Sequence, residues 1–493
     1  MAKIVIIGGG AAGAAVFGAL LHHGSAHDVE WITGAGAYGR GVAYATPDPH
    51  HLLNVRATGM ALYSDSDEDF LTFAAKHLPS VAGTDFLPRQ LFGDFIDSQL
   101  QTRIASARRQ GRHFSLHSQE AVSIVSHDGG FCIGLADSTT LSATAVVLAL
   151  GALAPRPLRA VSADALASGA YELDPWRLLQ RTQAPRRLLV IGTGLTAVDT
   201  LLSASRHWPK AELIAVSRHG QLPFVHAPLP LEPYAQQQDF NDSLLACSGT
   251  ASMLRLLRTA LRSSPQVSWR SVIDGMRPIN ARLWQGLTLA QRKQFLHHLR
   301  WLWEAARHRT APQIAQSIQQ LFDESRLRVH AARVLSVDGN RPLEVTVRAR
   351  TSQIQSTLEA DLVVQATGLD TAAAYTEHSL LSQLLQDGLA VADPLQLGVA
   401  AQPDGRLLDA HGNPQPNLYA IGSLLRGNLW ECTAMPEIRA AAQVLAQMLA
   451  SGASAPPVST GDAPTSDVPP PSRDDKVVPF TRHNDMAFGE FTT

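Results

Sequence analysis

Two short glycine runs hold the residues best placed to do chemistry in this chain. The first follows the apolar run Lys3–Ile7 and reads Gly8-Gly9-Gly10-Ala11-Ala12-Gly13, before a helical run from Ala14. The second follows Leu188–Ile191 and reads Gly192-Thr193-Gly194-Leu195-Thr196-Ala197, before Val198–Ala204. A strand that ends in such a turn and opens a helix offers a phosphate unpaired N–H groups and the positive end of a helix dipole. Gly8 reverses the chain, Gly10 lets a pyrophosphate approach the backbone, and Gly13 lets the helix pack on the strand. Gly192, Gly194 and Ala197 take the same three places, where alanine is allowed at the third. Ala11 and Ala12 complete the first binding set, and Thr196 joins the second. One such turn is equally a tight strand-to-helix connection with no ligand. Two in series point to two dinucleotides, the pairing a flavoprotein needs when NAD(P)H reduces its flavin.

The elements that must carry these turns follow from periodicity. A strand is expected at Val29–Thr33, then a glycine-rich stretch, Gly34–Gly41, and helices over Asp65–His77 and Arg89–Arg109. Ala145–Leu150 and Leu362–Ala366 are continuous apolar runs that end in Gly151 and in Thr367-Gly368, as buried parallel strands do. A strand–helix–strand unit spans Leu188–Val216, and Ser243–Phe322 reads as helical and rich in Trp, Arg and His. Strands return at Val329–Val337 and Leu343–Arg350, Leu418–Ile421 leads to Gly422, and a helix follows at Glu437–Ala450. This order predicts an α/β chain of two Rossmann-like dinucleotide-binding domains, the second inserted in the first. Residues 1–180 and 330–450 make the first, and 181–329 the second with its helical extension. Residues 451–493 read as a disordered linker and tail, being mostly Ser, Pro, Ala, Gly, Thr and Asp at the start and without periodicity.

Composition narrows the partners. The 41 basic and 43 acidic residues create no general field for nucleic acid or a membrane surface. No run approaches the roughly 18 apolar residues of a membrane span, and because the sequence opens on an expected strand, no signal peptide is expected. A reduced, cytoplasmic setting is expected. Cys132, Cys247 and Cys432 are far apart, with no C-x-x-C pair. Electron transfer to disulfides is therefore not expected, and the three cysteines read as buried small hydrophobes. The histidine pairs His22-His23 and His50-His51 lack metal-ligand spacing, so no metal site is expected.

Two departures bear on the nucleotides. An Asp or Glu ordinarily follows the second strand, about 20 residues beyond the turn, and binds the adenosine ribose. Here that place holds Thr33, with Glu30 three residues earlier in mid-strand. In the second unit, Glu212–Val216 ends in Ser217-Arg218-His219. An arginine there accommodates the 2′-phosphate of NADPH; otherwise Arg218 is a solvated surface residue. In the helical extension, Arg300, Glu304 and His308 share a face at i, i+4 spacing. With Arg307 they form either a clamp for an anionic substrate or nucleotide phosphate, or a solvated face with Trp301 or Trp303 in the core.

Further motifs carry a resemblance. They are Gly39-Arg40-Gly41-Val42-Ala43-Tyr44, His51-Leu52-Leu53-Asn54-Val55, Phe86-Leu87-Pro88-Arg89 with Gly93, Ser217-Arg218-His219-Gly220, Ala366-Thr367-Gly368 and Gly422–Arg439. With the two turns, Thr196 and Asp199, they make residues 1–450 resemble the two-dinucleotide flavoproteins related to flavin-dependent N-hydroxylating monooxygenases. More narrowly the chain is similar to a bacterial group described as FAD/NAD(P)-binding proteins. The resemblance implies that Gly39, Arg40, Gly41 and Asn54 lie along the flavin, with Asn54 beside the isoalloxazine ring, a turn cap being the alternative reading of Asn54. It also implies that Gly368, Gly422 and Ser423 contact FAD, Ser423 standing where related proteins often carry an acid. No separate catalytic side chain is identified, Asn54 being the flavin-proximal one. The implied reaction joins FAD, NADPH, O₂ and a small amine or amino acid, whose nitrogen takes oxygen from a C4a-hydroperoxyflavin. Two other functions fit the same residues: a flavin reductase or dehydrogenase that passes electrons to another acceptor, and a dinucleotide-binding scaffold or redox sensor.

Overall fold

Runs of valine, isoleucine and leucine buried on both faces make the strands that carry each turn, as parallel sheets require. The computed structural model describes residues 3–23, 27–66, 68–227 and 231–451. The chain divides into two compact units, one holding the described residues up to Leu222 and from Gln313 onward, the other Pro223–Pro312. Among the described residues no helix is long and apolar enough to cross a membrane.

The first unit contains two large sheets. Strands β1 (Lys3–Ile7), β2 (Asp28–Ile32), β3 (Phe114–His117) and β4 (Ala145–Leu148) are parallel, in the order β4-β1-β2-β3. The pair Arg406–Leu408 and Pro414–Ala420 closes the sheet beside β4, with Leu418 against Val146. Helix α1 (Ala11–His22) packs on this sheet, burying Val16, Phe17 and Leu20 with Trp31 of β2. Short α2 (Gly41–Tyr44) and long α3 (Arg89–Arg109) lie nearby, brought close by Gly93. A Cβ there would stand 2.6 Å from the Tyr44 carbonyl oxygen. A three-stranded antiparallel sheet, Ala121–His127, Gly130–Leu135 and Thr140–Ala143, lies between β3 and β4 in the chain.

The second sheet is built from β5 (Arg187–Ile191), β6 (Glu212–Ser217), β7 (Leu327–Gly339), β8 (Leu343–Ala349), β9 (Gln355–Ala360) and β10 (Leu362–Gln365). Its order is β9-β8-β7-β6-β5-β10, then Tyr171–Glu172. The turn after β5 opens helix α4 (Leu195–His207). Strand pairing thus groups Tyr171–Glu172 and β7–β10 with the second turn, whereas the sequence reading grouped them with the first. Buried, mostly apolar runs such as Ala145–Leu148 and Leu362–Gln365 occur in both sheets, so the partner of each strand tells them apart.

Two stretches of chain pass between the sheets, one after β4 and one after β10. Leu153 N–H donates to the Asp370 carbonyl at 3.0 Å. Arg156 grips the Asp370 carboxylate with Nε at 2.7 Å and Nη2 at 3.2 Å. Gln365 donates to the Arg156 carbonyl at 2.8 Å and accepts from the Tyr171 hydroxyl at 2.7 Å.

The other unit is a set of helices from Gln237–Leu245 to Arg300–Arg307 around Phe240, Leu244, Val272 and Ile273. Of the tail expected at 451–493, all but Ser451, the end of the helix Met435–Ser451, lies outside the described residues.

Candidate functional site

The glycines of each turn divide into two kinds. A Cβ on Gly8 (φ +126°) would stand 2.3 Å from the Ala149 carbonyl oxygen, at the end of the neighbouring β4. A Cβ on Gly192 (φ +132°) would stand 2.1 Å from the Ala366 carbonyl oxygen, at the end of the neighbouring β10. A Cβ on Gly13 would meet the Gly8 carbonyl at 2.1 Å. These positions are glycine because the fold itself fills the space. Gly10 and Gly194 are different. A Cβ on Gly10 would meet only the Gly41 Cα, at 3.8 Å, and one on Gly194 would meet nothing within 4 Å. Both have ordinary extended backbone and both are N-cap residues without a side-chain cap, on α1 and α4. Neither helix has an acid in its first turn. Each turn therefore presents uncapped N–H groups across a glycine that the protein's own packing does not require, as a bound pyrophosphate does.

Around the first turn, Gly39 N–H donates to the Gly9 carbonyl at 2.8 Å, which lays the Gly39–Gly41 loop across it. Gly41 (φ +58°) sits against Gly10, and Gly422 (φ +77°) sits against Ala12, each place where a Cβ would be in van der Waals contact or closer. Ser423 is buried beside it. Cys432 Sγ donates to the Gly422 carbonyl at 3.2 Å, and burial pushes that thiol up to about 12. Cys132 and Cys247 are half-buried rather than buried, one on the central strand of the three-stranded sheet and one after the helix Gln237–Leu245.

Around the second turn, Thr193 Oγ1 donates to the Gln221 carbonyl at 2.6 Å, and Ser217 Oγ lies 2.8 Å from Thr193 Oγ1 and accepts from Gly220 N–H at 3.0 Å, which fixes the loop after β6. Arg218 is exposed there. Arg350 reaches the same sheet end from β8: its N–H donates to the Ala331 carbonyl at 2.9 Å, beside Ser217 in the β6–β7 register. Its guanidinium lies 2.6 Å from His219 Nδ1. Burial first, then Arg350 and Arg218, pull the His219 imidazole down to about 4, so it stays neutral beside two cations.

Residues 5–153 match the family described as FAD-NAD(P)-binding. The fold is that of a two-dinucleotide flavoprotein. It is similar to the ornithine N-hydroxylase of Kutzneria sp. 744, solved with reduced FAD, NADP+ and L-ornithine, at 15% identity and a TM-score of 0.63 over 91% of this chain and 99% of that one. The cadaverine monooxygenase of Erwinia amylovora, bound to FAD, is similar at 11% identity and a TM-score of 0.65, over 96% and 99% of the two chains. The L-lysine 6-monooxygenase of Pseudomonas syringae is similar at 17% identity and a TM-score of 0.59, over 92% and 99%. No curated protein matches in sequence.

The structure also shows what several motif residues do within this flavoprotein fold. Leu53 N–H donates to the Leu87 carbonyl and Arg89 N–H to the His51 carbonyl, each at 2.8 Å, joining the two motifs back to back. Asn54 stands half-buried in the bend just after this pairing. Arg89 continues to the buried Asp199 of α4, with Nη2 at 2.8 Å from Oδ2. Ser203 of α4 donates to Asp48 Oδ2 at 2.5 Å, so His51 Nε2–H donates to Ser203 at 2.8 Å, and His51 Nδ1 accepts from Thr46. Burial drives His51 below its usual range, which suits this neutral tautomer. Burial works against the Asp48 carboxylate, but hydrogen bonds from Ser203, Arg206 and His50 outweigh it and hold Asp48 well below the carboxylate range. This network ties the first sheet's loop to the second sheet's helix. Sequence reading missed its connectivity because its members lie some 150 residues apart, although three of them, His51, Arg89 and Asp199, were already motif residues.

Arg40 does not reach toward the first turn. Its guanidinium is held by Asp97, with Nε at 2.8 Å, and by Asp94 at 2.7 Å, both on α3. Gly368 (φ +92°) is exposed, and a Cβ there would meet nothing within 4 Å. In the helical unit, Arg300 Nε pairs with Glu304 at 3.0 Å as the spacing implied. The helix ends at Arg307, and His308 is its C-cap, its N–H donating to the Glu304 carbonyl at 2.9 Å. Arg307 pairs instead with Asp274 at 3.5 Å.

Proposed function

We propose that this protein is an FAD- and NADPH-dependent oxidoreductase, a monooxygenase that hydroxylates the nitrogen of a small amine or amino acid. The observation that carries the reading is the matched pair of open N-cap glycines, Gly10 and Gly194, after the parallel strands β1 and β5 of one unit. In this reading the first sheet holds FAD. Ala11 and Ala12 N–H groups face the pyrophosphate, Gly39, Gly41, Asn54, Gly368, Gly422 and Ser423 line the flavin end, and Arg40 acts from outside by pinning the Gly39–Gly41 loop to α3. The second sheet holds NADPH over Gly194 and Thr196, with Ser217 shaping the loop and Arg218 and Arg350 facing the 2′-phosphate. Bound FAD, reduced by NADPH, supplies the oxygen chemistry. The protein's part is to bind, to orient the two dinucleotides and to keep water away.

The substrate class draws on the similar solved proteins, which act on ornithine, lysine and cadaverine. Each offers a primary amine on an alkyl chain. The test is to purify the protein, record its flavin spectrum, and follow NADPH and O₂ consumption with L-ornithine, L-lysine, cadaverine and shorter amines. The expected result is a yellow protein whose NADPH use rises with one amine class and yields hydroxylamine product. A protein that cannot be reconstituted with FAD overturns the reading. So does NADPH oxidation that ignores every amine and requires an added electron acceptor, the behaviour of a reductase.

A further inference from the structure

The adenosine end of the first site lacks the acid that ordinarily ends the second strand. Thr33 stands there, and its one hydroxyl hydrogen is shared between the main-chain carbonyls of Gly34 at 3.2 Å and His117 at 3.1 Å. Glu30 is no substitute. It is buried in β2 and bound to Lys3 at 2.6 Å and His117 at 2.5 Å. Burial raises its carboxyl, but the hydrogen bonds from Lys3 and His117 win and hold it ionised as an internal pair.

A different acidic residue approaches the same place. Strand β3 runs parallel to β2, with His117 opposite Ile32, so the chain leaving β3 emerges beside Thr33 and Gly34. Three residues on, Glu120 turns back across the sheet end. Its Cγ lies 4.0 Å from where a Cβ on Gly34 would stand. Gly34 has φ +76°, a conformation that keeps side chains out of this approach. The Glu120 backbone is anchored, its carbonyl accepting from Ala136 N–H at 2.9 Å. Its side chain is exposed, and no hydrogen bond or ion pair engages the carboxylate among the described residues.

We propose that Glu120 supplies the missing ribose carboxylate, accepting hydrogen bonds from the adenosine ribose hydroxyls of FAD. The acid has moved from the end of β2 to the loop after β3, and Thr33 keeps only a neutral, structural role. An ionised acceptor makes a bond roughly twice as strong as a neutral one, which gives the position a reason to be acidic. The proposal rests on the first site being an FAD site.

The experiment uses full-length apoprotein titrated with FAD and, separately, with FMN, which has no adenosine, followed by flavin fluorescence. Glu120→Ala is expected to raise the Kd for FAD about tenfold, to leave the Kd for FMN unchanged, and to leave the melting temperature of the apoprotein unchanged. Adding Thr33→Glu to that variant restores the acid at its ordinary place and is expected to recover most of the FAD affinity. Wild-type affinity for FAD in Glu120→Ala overturns the proposal, and so does an equal loss of FAD and FMN. Failure of the wild-type protein itself to bind FAD removes the underlying reading instead, so the two failures are distinct.

Discussion

Replacing Gly10 by alanine separates the ligand from the fold. The residue has φ −86° and ψ −177°, open to any side chain, and the new methyl would touch only the Gly41 Cα at 3.8 Å. The folding cost is that of alanine for glycine at an N-cap, about 1 kcal/mol or less. The same methyl stands where a phosphate oxygen must come within roughly 2.7–3.2 Å of the helix N–H groups. Losing one charge-assisted hydrogen bond costs about 1.5–3 kcal/mol, so the Kd for FAD should rise roughly ten- to a hundredfold. Gly8→Ala provides the contrast. At φ +126° and 2.3 Å from the Ala149 carbonyl, it meets both backbone strain and a hard overlap, costing the fold roughly 3 kcal/mol. Thermal unfolding of the apoproteins and FAD titration read the two effects separately. If Gly10→Ala binds FAD as the wild type does, the pyrophosphate does not lie over Gly10 and the division of the glycines into two kinds is wrong. Gly194→Ala repeats the test for NADP+, with FAD binding left intact.

Other outcomes follow from the same geometry. Arg218→Ala and Arg350→Ala should each weaken NADP+ binding by about tenfold, from the loss of a charged hydrogen bond, with NAD+ binding unchanged; an equal loss of both nucleotides would show that neither arginine reads the 2′-phosphate. Arg89→Met leaves Asp199 buried without its cation and should destabilise the protein by about 3 kcal/mol or more, whereas adding Asp199→Leu should recover much of that loss in urea unfolding. His51 titrates lower in the folded protein than its ordinary 6.5. The unfolded chain takes up that proton first, so His51 lends stability above about pH 6.5 that fades as the pH falls. His51→Gln should flatten the stability decline between pH 6.5 and 5. An unchanged acid limb would mean that His51 is not buried as a neutral ring.

Much of this was legible in the sequence, because the signals were local. A strand, a glycine turn and a helix lie within some 20 residues, and the reason for each small residue is a close approach inside that unit. Arg218 was readable for the same reason, since it directly follows its strand. What the sequence hid was pairing between distant segments. Leu343–Ala349 and Gln355–Ala360 join the second sheet only because β7 bends and pairs with β8. That bend also brings Arg350 to His219 from 131 residues away, so half of the cationic pair carried no local sign. The role of Arg40 was hidden differently: the resemblance laid this motif arginine along the flavin, while its partners Asp94 and Asp97 lie more than 50 residues away in the chain, on α3.

The neck formed by Leu153, Arg156, Gln365 and Asp370 also sets an order of assembly. The outward edge of β4, four fully buried residues, has no partner until Pro414–Ala420 arrives. On the ribosome, β1 through β4 emerge first, and the whole second sheet must be made before the strand that covers them. A nascent chain therefore carries an apolar, unpaired strand edge for most of its synthesis, the kind of surface that invites wrong partners. Two pieces of chain, each incomplete alone, have to meet across that neck before the first sheet exists. A truncation that removes residues from 406 onward would accordingly cost far more than its share of the length, by leaving the oldest part of the protein permanently open.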